Sequence, residues 1–347
     1  MTPTRLLSAL SALALLALPL ALPSCGGSKC CDNPPDGGAG AGARGVGAAG
    51  FGGNVAAGGR GGTAGTTDAG AAGQGGTAGS SALDAAADGP PQSIVTDGGA
   101  FRLVWSDEFD VDGPPDPGNW GFESGFVRNQ ELQWYQPNNA VVKGGILTIA
   151  AQKVSLPNPS YVAGSTDWRT SRATIGYTST SMTTSGKHDW QYGRFEMRAR
   201  IDTRQGSWPA FWILGSGTGW PQSGEVDIME YYASKVLANV CKPAGSTCSW
   251  DSTNQSPASL GSDWSSAFHV WAMEWDATHI DLYLDDKLVN TFTVSDADVA
   301  GQSNPYDSKR FYVLVNLAIG ANGGDPSVTS FPITYEVDYV RVYQRTS

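Results

Sequence analysis

The apolar bulk of this chain is confined to one side of a boundary. All 12 tryptophans among the 347 residues lie beyond residue 100, whereas residues 26–99 are mostly Gly and Ala with Ser, Thr, Asp and Pro. A segment with so few large apolar side chains cannot offset the conformational entropy lost on folding. Any core must therefore be built by residues 100–347, a length that suits one large domain. Residues 25–99 are expected to form a disordered tether with a mean reach of about 50 Å. A collagen helix is excluded, because Gly does not recur at every third position.

Before the tether, residues 1–22 carry one Arg and then an apolar run of Leu and Ala. The run is too short and too early for a spanning helix and suits a secretory signal over residues 1–24. It ends Leu22-Pro23-Ser24-Cys25. A small residue followed by Cys resembles the bacterial lipoprotein signal, so Cys25 is the expected lipidation site; ordinary cleavage beside an incidental Cys is the alternative. The protein is expected to be exported, as a cell-envelope lipoprotein or a secreted protein. Membrane contact is expected only through the lipid anchor at Cys25.

Beyond residue 100, short runs rich in β-branched and aromatic residues recur between Gly, Pro and Asn turns. They cover 101–105, 146–150, 195–201, 271–275, 280–284, 288–292, 311–319 and 335–343. No long helical period interrupts them. This is the pattern of an all-β sandwich.

One run is anomalous. Gly224-Glu225-Val226-Asp227-Ile228-Met229-Glu230-Tyr231-Tyr232 reads as a buried strand, yet it holds three acids. Acids are costly there unless they are paired or used. Strand alternation puts Glu225 and Asp227 on one face and Glu230 on the other. A β-bulge near Ile228-Met229 would bring Glu230 back to its companions. Three carboxyls on a concave face suit glycoside hydrolysis, in which a retaining enzyme holds two of them about 5–5.5 Å apart. A middle acid would push the proton affinities of its neighbours apart. The plainer alternatives are a solvated acidic face or a calcium site.

The flanks narrow the choice. Tyr192-Gly193-Arg194-Phe195-Glu196-Met197-Arg198-Ala199-Arg200 precedes Gly206-Ser207-Trp208-Pro209-Ala210-Phe211-Trp212-Ile213-Leu214, then Trp220-Pro221-Gln222-Ser223 and the acidic run. This order resembles glycoside hydrolase family 16, the laminarinase and lichenase group, over about residues 101–344. The Glu-x-Asp-x-x-Glu spacing resembles the laminarinase branch. The resemblance implies a β-jelly roll of two curved antiparallel sheets with a concave substrate cleft, and makes residues 100–347 the catalytic domain. It implies that Glu225 is the nucleophile, Glu230 the general acid/base, and Asp227 the electrostatic support of Glu225. The implied activity is retaining, endo-acting cleavage of β-1,3 or β-1,3/1,4 glucan. Action on agar or carrageenan, transglycosylation, and a non-catalytic glycan-binding lipoprotein are the alternatives. The intact triplet argues against the last, since binding alone does not need three acids.

The resemblance extends to other positions. Asn129 and Glu131, in Asn129-Gln130-Glu131-Leu132-Gln133-Trp134-Tyr135, resemble an Asn-x-Glu segment near the donor-side subsites and would hydrogen-bond sugar hydroxyls, with a polar loop capping the sheet as the alternative. Asn316 falls in a run resembling the strand that edges the cleft. Glu108, the Gly145 carbonyl and Asp338 resemble a structural calcium site on the convex face; no cofactor is expected for catalysis. Relatives often place a His on the strand after the catalytic one. Here Leu237-Ala238-Asn239-Val240-Cys241 has none, and Ser249-Trp250-Asp251-Ser252 is the nearest substitute.

From the residues themselves, Trp208 and Trp212 share a strand face and are candidates for stacking on sugar rings, with core packing as the alternative. Arg194 is a candidate to orient a carboxylate or bind substrate, against a structural ion pair. Cys241 and Cys248, the only cysteines after residue 100, are expected to form a disulfide in an oxidising compartment, with two separate thiols as the alternative.

Charge points to a neutral ligand. The chain carries −11 overall, of which the first 97 residues, with four bases and six acids, supply only −2. No basic tract interleaves with aromatics, which argues against nucleic acid. Abundant Trp and Tyr suit a polysaccharide substrate, and a monomer is expected. His188, His269 and His279 lack zinc-site spacing. Gly215-Ser216-Gly217-Thr218-Gly219 is not followed by the Lys of a phosphate loop. There is no Gly-x-Ser-x-Gly elbow.

Overall fold

The computed structural model describes residues 89–217 and 219–346. The expected signal segment, Cys25 and the tether up to residue 88 lie outside the described residues. The rest is the expected all-β sandwich, with one sheet of 11 strands and one of seven. The helices among the described residues are single turns of three or four residues.

The seven-stranded sheet runs, edge to edge, Thr247–Gln255, Lys235–Ala244, Glu225–Tyr232, Ser207–Gly215, Phe311–Ile319, Ser181–Thr183 and Gly121–Phe122. All these neighbours are antiparallel. In the larger sheet, Gly193–Ile201 lies between His269–Trp275 and the closing strand Ile333–Arg345. Gln133–Tyr135 makes a parallel pairing with Thr174–Ser179.

One segment departs from the composition-based reading. Ser93–Thr96 pairs with Gly99–Asp107, setting Ile94 opposite Phe101. A paired strand therefore lies inside the span expected to be tether. Ile94-Val95-Thr96 followed by Asp97-Gly98 is a hairpin signal, masked by the Gly-rich composition around it.

Pleating decides what each strand sends into the core. Along Gly193–Ile201, Phe195, Met197, Ala199 and Ile201 enter the space between the sheets. There they join Phe211 and Ile213, Val226 and Val240, and Val313, Val315 and Leu317 from the smaller sheet. The intervening residues of Gly193–Ile201 must face the other way. They form cross-strand ion pairs: Arg194 with Glu274, Arg198 with Asp338, and Arg200 with Glu336.

This corrects the reading of Arg194. It is buried on the outer face of the larger sheet, bonded to Glu196 at 2.9 Å and Glu274 at 2.9 Å. It is a structural ion pair and orients no catalytic carboxylate. The same alternation that puts Phe195 in the core turns its neighbour away from the smaller sheet.

The smaller sheet has a second apolar group on its far face. Ala210, Trp212, Leu214 and Leu314 pack together there, with Trp220 and Tyr312 against them. This face carries the acids.

Candidate active site

The three acids reach one face through an irregular register. Glu225 pairs with Leu214 and Asp227 with Trp212, but Glu230 pairs with Ala210. The acid strand thus advances three residues while its neighbour advances two. On the other side, Asp227 pairs with Asn239 and Glu230 with Leu237, the same slip. Ile228 and Met229 both point into the core, so the extra residue costs no exposed apolar surface. The bulge expected at Ile228-Met229 is present. It aligns Glu230 with Glu225 and Asp227 beside the Ala210, Trp212 and Leu214 row.

Each carboxyl has its own donors. The Trp220 indole N–H donates to Glu225. The Trp208 indole N–H donates to Glu230 Oε1 at 2.6 Å. The Asn239 amide donates to Asp227 Oδ2 at 3.0 Å and to Glu230 Oε2 at 3.2 Å, so one nitrogen bridges two acids. Behind Glu225, the buried Tyr306 hydroxyl accepts from the Glu225 backbone N–H at 3.2 Å and lies 2.5 Å from the Cys241 carbonyl. It spans the acid strand and Lys235–Ala244 at the level of Glu225.

Burial sets the electrostatics. Glu225 and Asp227 are each 7% exposed. Burial, and next the Asp227 charge, hold the Glu225 carboxyl well above the usual range, while Trp220 and the Arg128 guanidinium pull it back. Burial raises Asp227 to about 6, countered by Asn239. Burial raises Glu230 well above its ordinary value; the charges of Asp227 and Glu225 add to this, and Trp208 and Asn239 oppose it. Three such neighbours do not all ionise together near neutral pH. Of the three, Glu225 alone feels a stabilising cation, whereas Glu230 feels two like charges. Two like charges and no cation act on Glu230, which favours it as the carboxyl that holds a proton.

The remaining predicted residues are placed as follows. Trp208 and Trp212 share the acid-bearing face but are only 6% and 5% exposed. They act through their N–H groups more than their ring faces: Trp212 donates to Asn316 Oδ1 at 2.7 Å, and the Arg128 guanidinium covers its ring at 5.1 Å. Asn316 in turn donates to the Tyr135 hydroxyl at 3.0 Å. Glu131 is buried and accepts from Gln133 at 2.6 Å and from Asn129 at 3.3 Å; burial pushes its carboxyl up to about 7. Asn129 and Gln130 adopt left-handed backbone, and Arg172 donates to the carbonyls of Gln130 and Glu131. The segment is a rigid wall on the Phe311–Ile319 side, where Leu132 N–H donates to the Ile319 carbonyl.

The calcium trio does not fit an oxygen cage. Glu108 gives both oxygens to Arg341, and Asp338 pairs with Arg198. The negative charge that a divalent cation would need is already neutralised. Among the described residues, no three His, Cys, Asp or Glu side chains gather in a way that could hold a metal. Cys241 and Cys248 are joined as a disulfide between adjacent strands, Cα atoms 5.3 Å apart.

Four contributors escaped the sequence reading: Trp220, Asn239, Arg128 and Tyr306. Asn239 carried a usable signal, since a buried amide in Val236-Leu237-Ala238-Asn239-Val240 is as anomalous as the acids. Tyr306 comes from a one-turn helix, Pro305–Ser308, distant in sequence, and nothing local marks it.

The chain is similar to known proteins over most of the described residues. Residues 127–341 match the profile of Glycosyl hydrolases family 16. A β-glucanase of Rhodothermus marinus is 35% identical over 70% of this chain and 85% of its own length. A solved structure described with the endo-acting O-glycanases that prominent members of the human gut microbiota express to initiate mucin breakdown superposes with a TM-score of 0.67. It is 31% identical and covers 74% of this chain and 94% of that one. The endo-β-1,3-glucanase of Pyrococcus furiosus superposes with a TM-score of 0.64 at 30% identity, covering 74% of this chain and 100% of that one.

Proposed function

The chain belongs to glycosyl hydrolases family 16, and from that premise we propose that it is an endo-acting β-glucanase that cleaves β-1,3 or β-1,3/1,4 glucan with retention of configuration. The observation that carries this reading is the bulge that aligns Glu230 with Glu225 and Asp227, each on its own N–H donors. The glucan preference is supported by the β-glucanase and endo-β-1,3-glucanase relatives.

In the first step, the Glu225 carboxylate attacks the anomeric carbon while Glu230 gives its proton to the glycosidic oxygen. The carbon–oxygen bond breaks, the leaving sugar departs with a new hydroxyl, and Glu225 carries the glycosyl group as an ester. In the second step, the Glu230 carboxylate takes a proton from water as that water's oxygen attacks the same carbon. Glu225 is released and Glu230 is again protonated. Asp227, tied to Glu230 through Asn239, sustains the proton affinities of both glutamates through its charge.

Export, with an acyl anchor at Cys25, completes the reading. The Cys241–Cys248 disulfide suits an oxidising compartment. The decisive assay is reducing-sugar release from a panel of β-1,3, mixed-linkage and galactose-based polysaccharides, with wild type and Glu225→Gln side by side. Wild-type release from the glucans, abolished in the folded variant, is expected. Substantial turnover by the variant would exclude the nucleophilic role of Glu225.

A further inference from the structure

Trp250 differs from every other tryptophan in the chain. The other 11 are engaged by a neighbouring ring, a cation or a hydrogen bond. Among the described residues Trp250 has no such partner, and it is 37% exposed. An indole left open in this way presents a large apolar face with a polar N–H at its edge.

Trp250 pairs with Cys241, and Val226 pairs with Val240. Val226 and Val240 point into the core, so Glu225, Cys241 and Trp250 follow one another across three strands on the opposite face. The next residue confirms the direction: Asp251 turns inward and accepts from Asn290 of the larger sheet at 3.1 Å. Trp250 therefore lies on the acid-bearing face two strand spacings from Glu225, about 10 Å. The Asn129 and Glu131 wall stands toward the opposite edge of the same sheet, beyond Phe311–Ile319.

The mounting is rigid. Thr247–Gln255 is the outermost strand of its sheet, where fraying is easiest. The Cys241–Cys248 disulfide ties it to Lys235–Ala244 beside Trp250, and the Asp251–Asn290 bond fastens it to the other sheet. Gln222, from the loop that carries Trp220, reaches the Gly245 carbonyl in the adjoining turn. A contact surface held in advance loses little entropy on binding.

We propose that Trp250 is a binding platform for a glycosyl unit of the polysaccharide on the leaving-group side of the cleft, stacking the apolar face of a ring beyond the one that departs. This rests on the glucanase reading above. It assigns a role on the side where the strand after the acids has no His, and it makes Trp250 a determinant of chain-length preference.

The test compares full-length wild type, Trp250→Ala and Trp250→Phe on a long β-1,3-gluco-oligosaccharide and on a chromogenic glucoside whose leaving group is a single small aryl ring. Loss of one aromatic contact corresponds to about 3- to 10-fold. The ratio of kcat/KM for the long substrate over the short one should fall by that factor in Trp250→Ala, through KM, with Trp250→Phe retaining most of it. In the Glu225→Gln background, tryptophan fluorescence should respond to the long oligosaccharide, and Trp250→Ala should weaken binding by a similar factor. A wild type that cleaves the glucan while Trp250→Ala leaves both the ratio and the affinity unchanged overturns the platform alone. A wild type that releases sugar from no β-glucan overturns the glucanase reading, and the platform with it.

Discussion

Replacing Trp208 with Phe removes the indole N–H that donates to Glu230. Phe keeps an aromatic ring against Tyr232, which Trp208 meets edge-on at 5.6 Å. It loses the N–H that Trp208 donates to Glu230 Oε1 at 2.6 Å. Hydrogen bonds to charged groups contribute about 1.5–3 kcal/mol. The Asn239 amide remains on the other oxygen at 3.2 Å, so the lower end, about 1.5 kcal/mol or roughly tenfold, is the better expectation. The sign follows from the chemistry. Trp208 favours the anionic form of Glu230 and opposes the upward push of burial, Asp227 and Glu225. Without it, Glu230 holds its proton more tightly. The alkaline limb of kcat/KM, which reports the free enzyme's acid, should therefore move to higher pH. Deglycosylation needs Glu230 as a free carboxylate, so it should slow at the pH values where the variant keeps more of Glu230 protonated. The assay is a pH–rate profile of the variant on a soluble glucan, with azide as an alternative nucleophile that needs no base. Azide should restore turnover. An alkaline limb that stays in place or moves to lower pH, or a variant indifferent to azide, would refute the reasoning.

Two further outcomes follow from the buried charges. Asp227 is raised to about 6 from an ordinary 3.8, first by burial. Its neutral form therefore adds stability that is complete below pH 3.8 and is lost as pH rises through about 6. The Tm of the wild type should decline over that window, and Asp227→Asn should flatten the decline; an identical slope in the variant would contradict it. Arg194→Met breaks a buried ion pair and strands Glu196 and Glu274, which should cost about 3–5 kcal/mol. Urea unfolding should register that loss while KM for glucan stays at the wild-type value, and a raised KM in a fully folded variant would return Arg194 to the cleft.

The parts of this structure that could be read from sequence are those governed by short-range rules. Strand alternation, with one residue too many between Asp227 and Glu230, forces a choice between a bulge and a wasted acid. The bulge at Ile228-Met229 is the outcome that leaves both apolar residues in the core. Cys241 and Cys248 needed only a tight turn between adjacent strands to meet. What escaped depended on relations between distant segments. Arg194 has the right residue type near the right motif, but it belongs to the other sheet. Only the pairing of Gly193–Ile201 with His269–Trp275 reveals its partner Glu274. At Trp208 and Trp212 the residue type points to the rings. Their indole N–H groups matter more, because the acids and Asn316 lie across the same face. Tyr306 acts on the Glu225 backbone from 81 residues away, a contact that no local pattern encodes. The hairpin at Ser93–Thr96 was hidden for the opposite reason: a clear local signal sat in a segment whose composition argued against order.

The most direct test of the central claim is to locate the covalent bond. A 2-fluoro-glucoside with a good leaving group slows hydrolysis of the glycosyl-enzyme, and peptide mass spectrometry then identifies the residue that carries the sugar. A single glycosylated peptide is expected, with the ester on Glu225 and absent in Glu225→Gln. A label on Glu230, or steady release of sugar with inverted configuration and no labelled peptide, would contradict it.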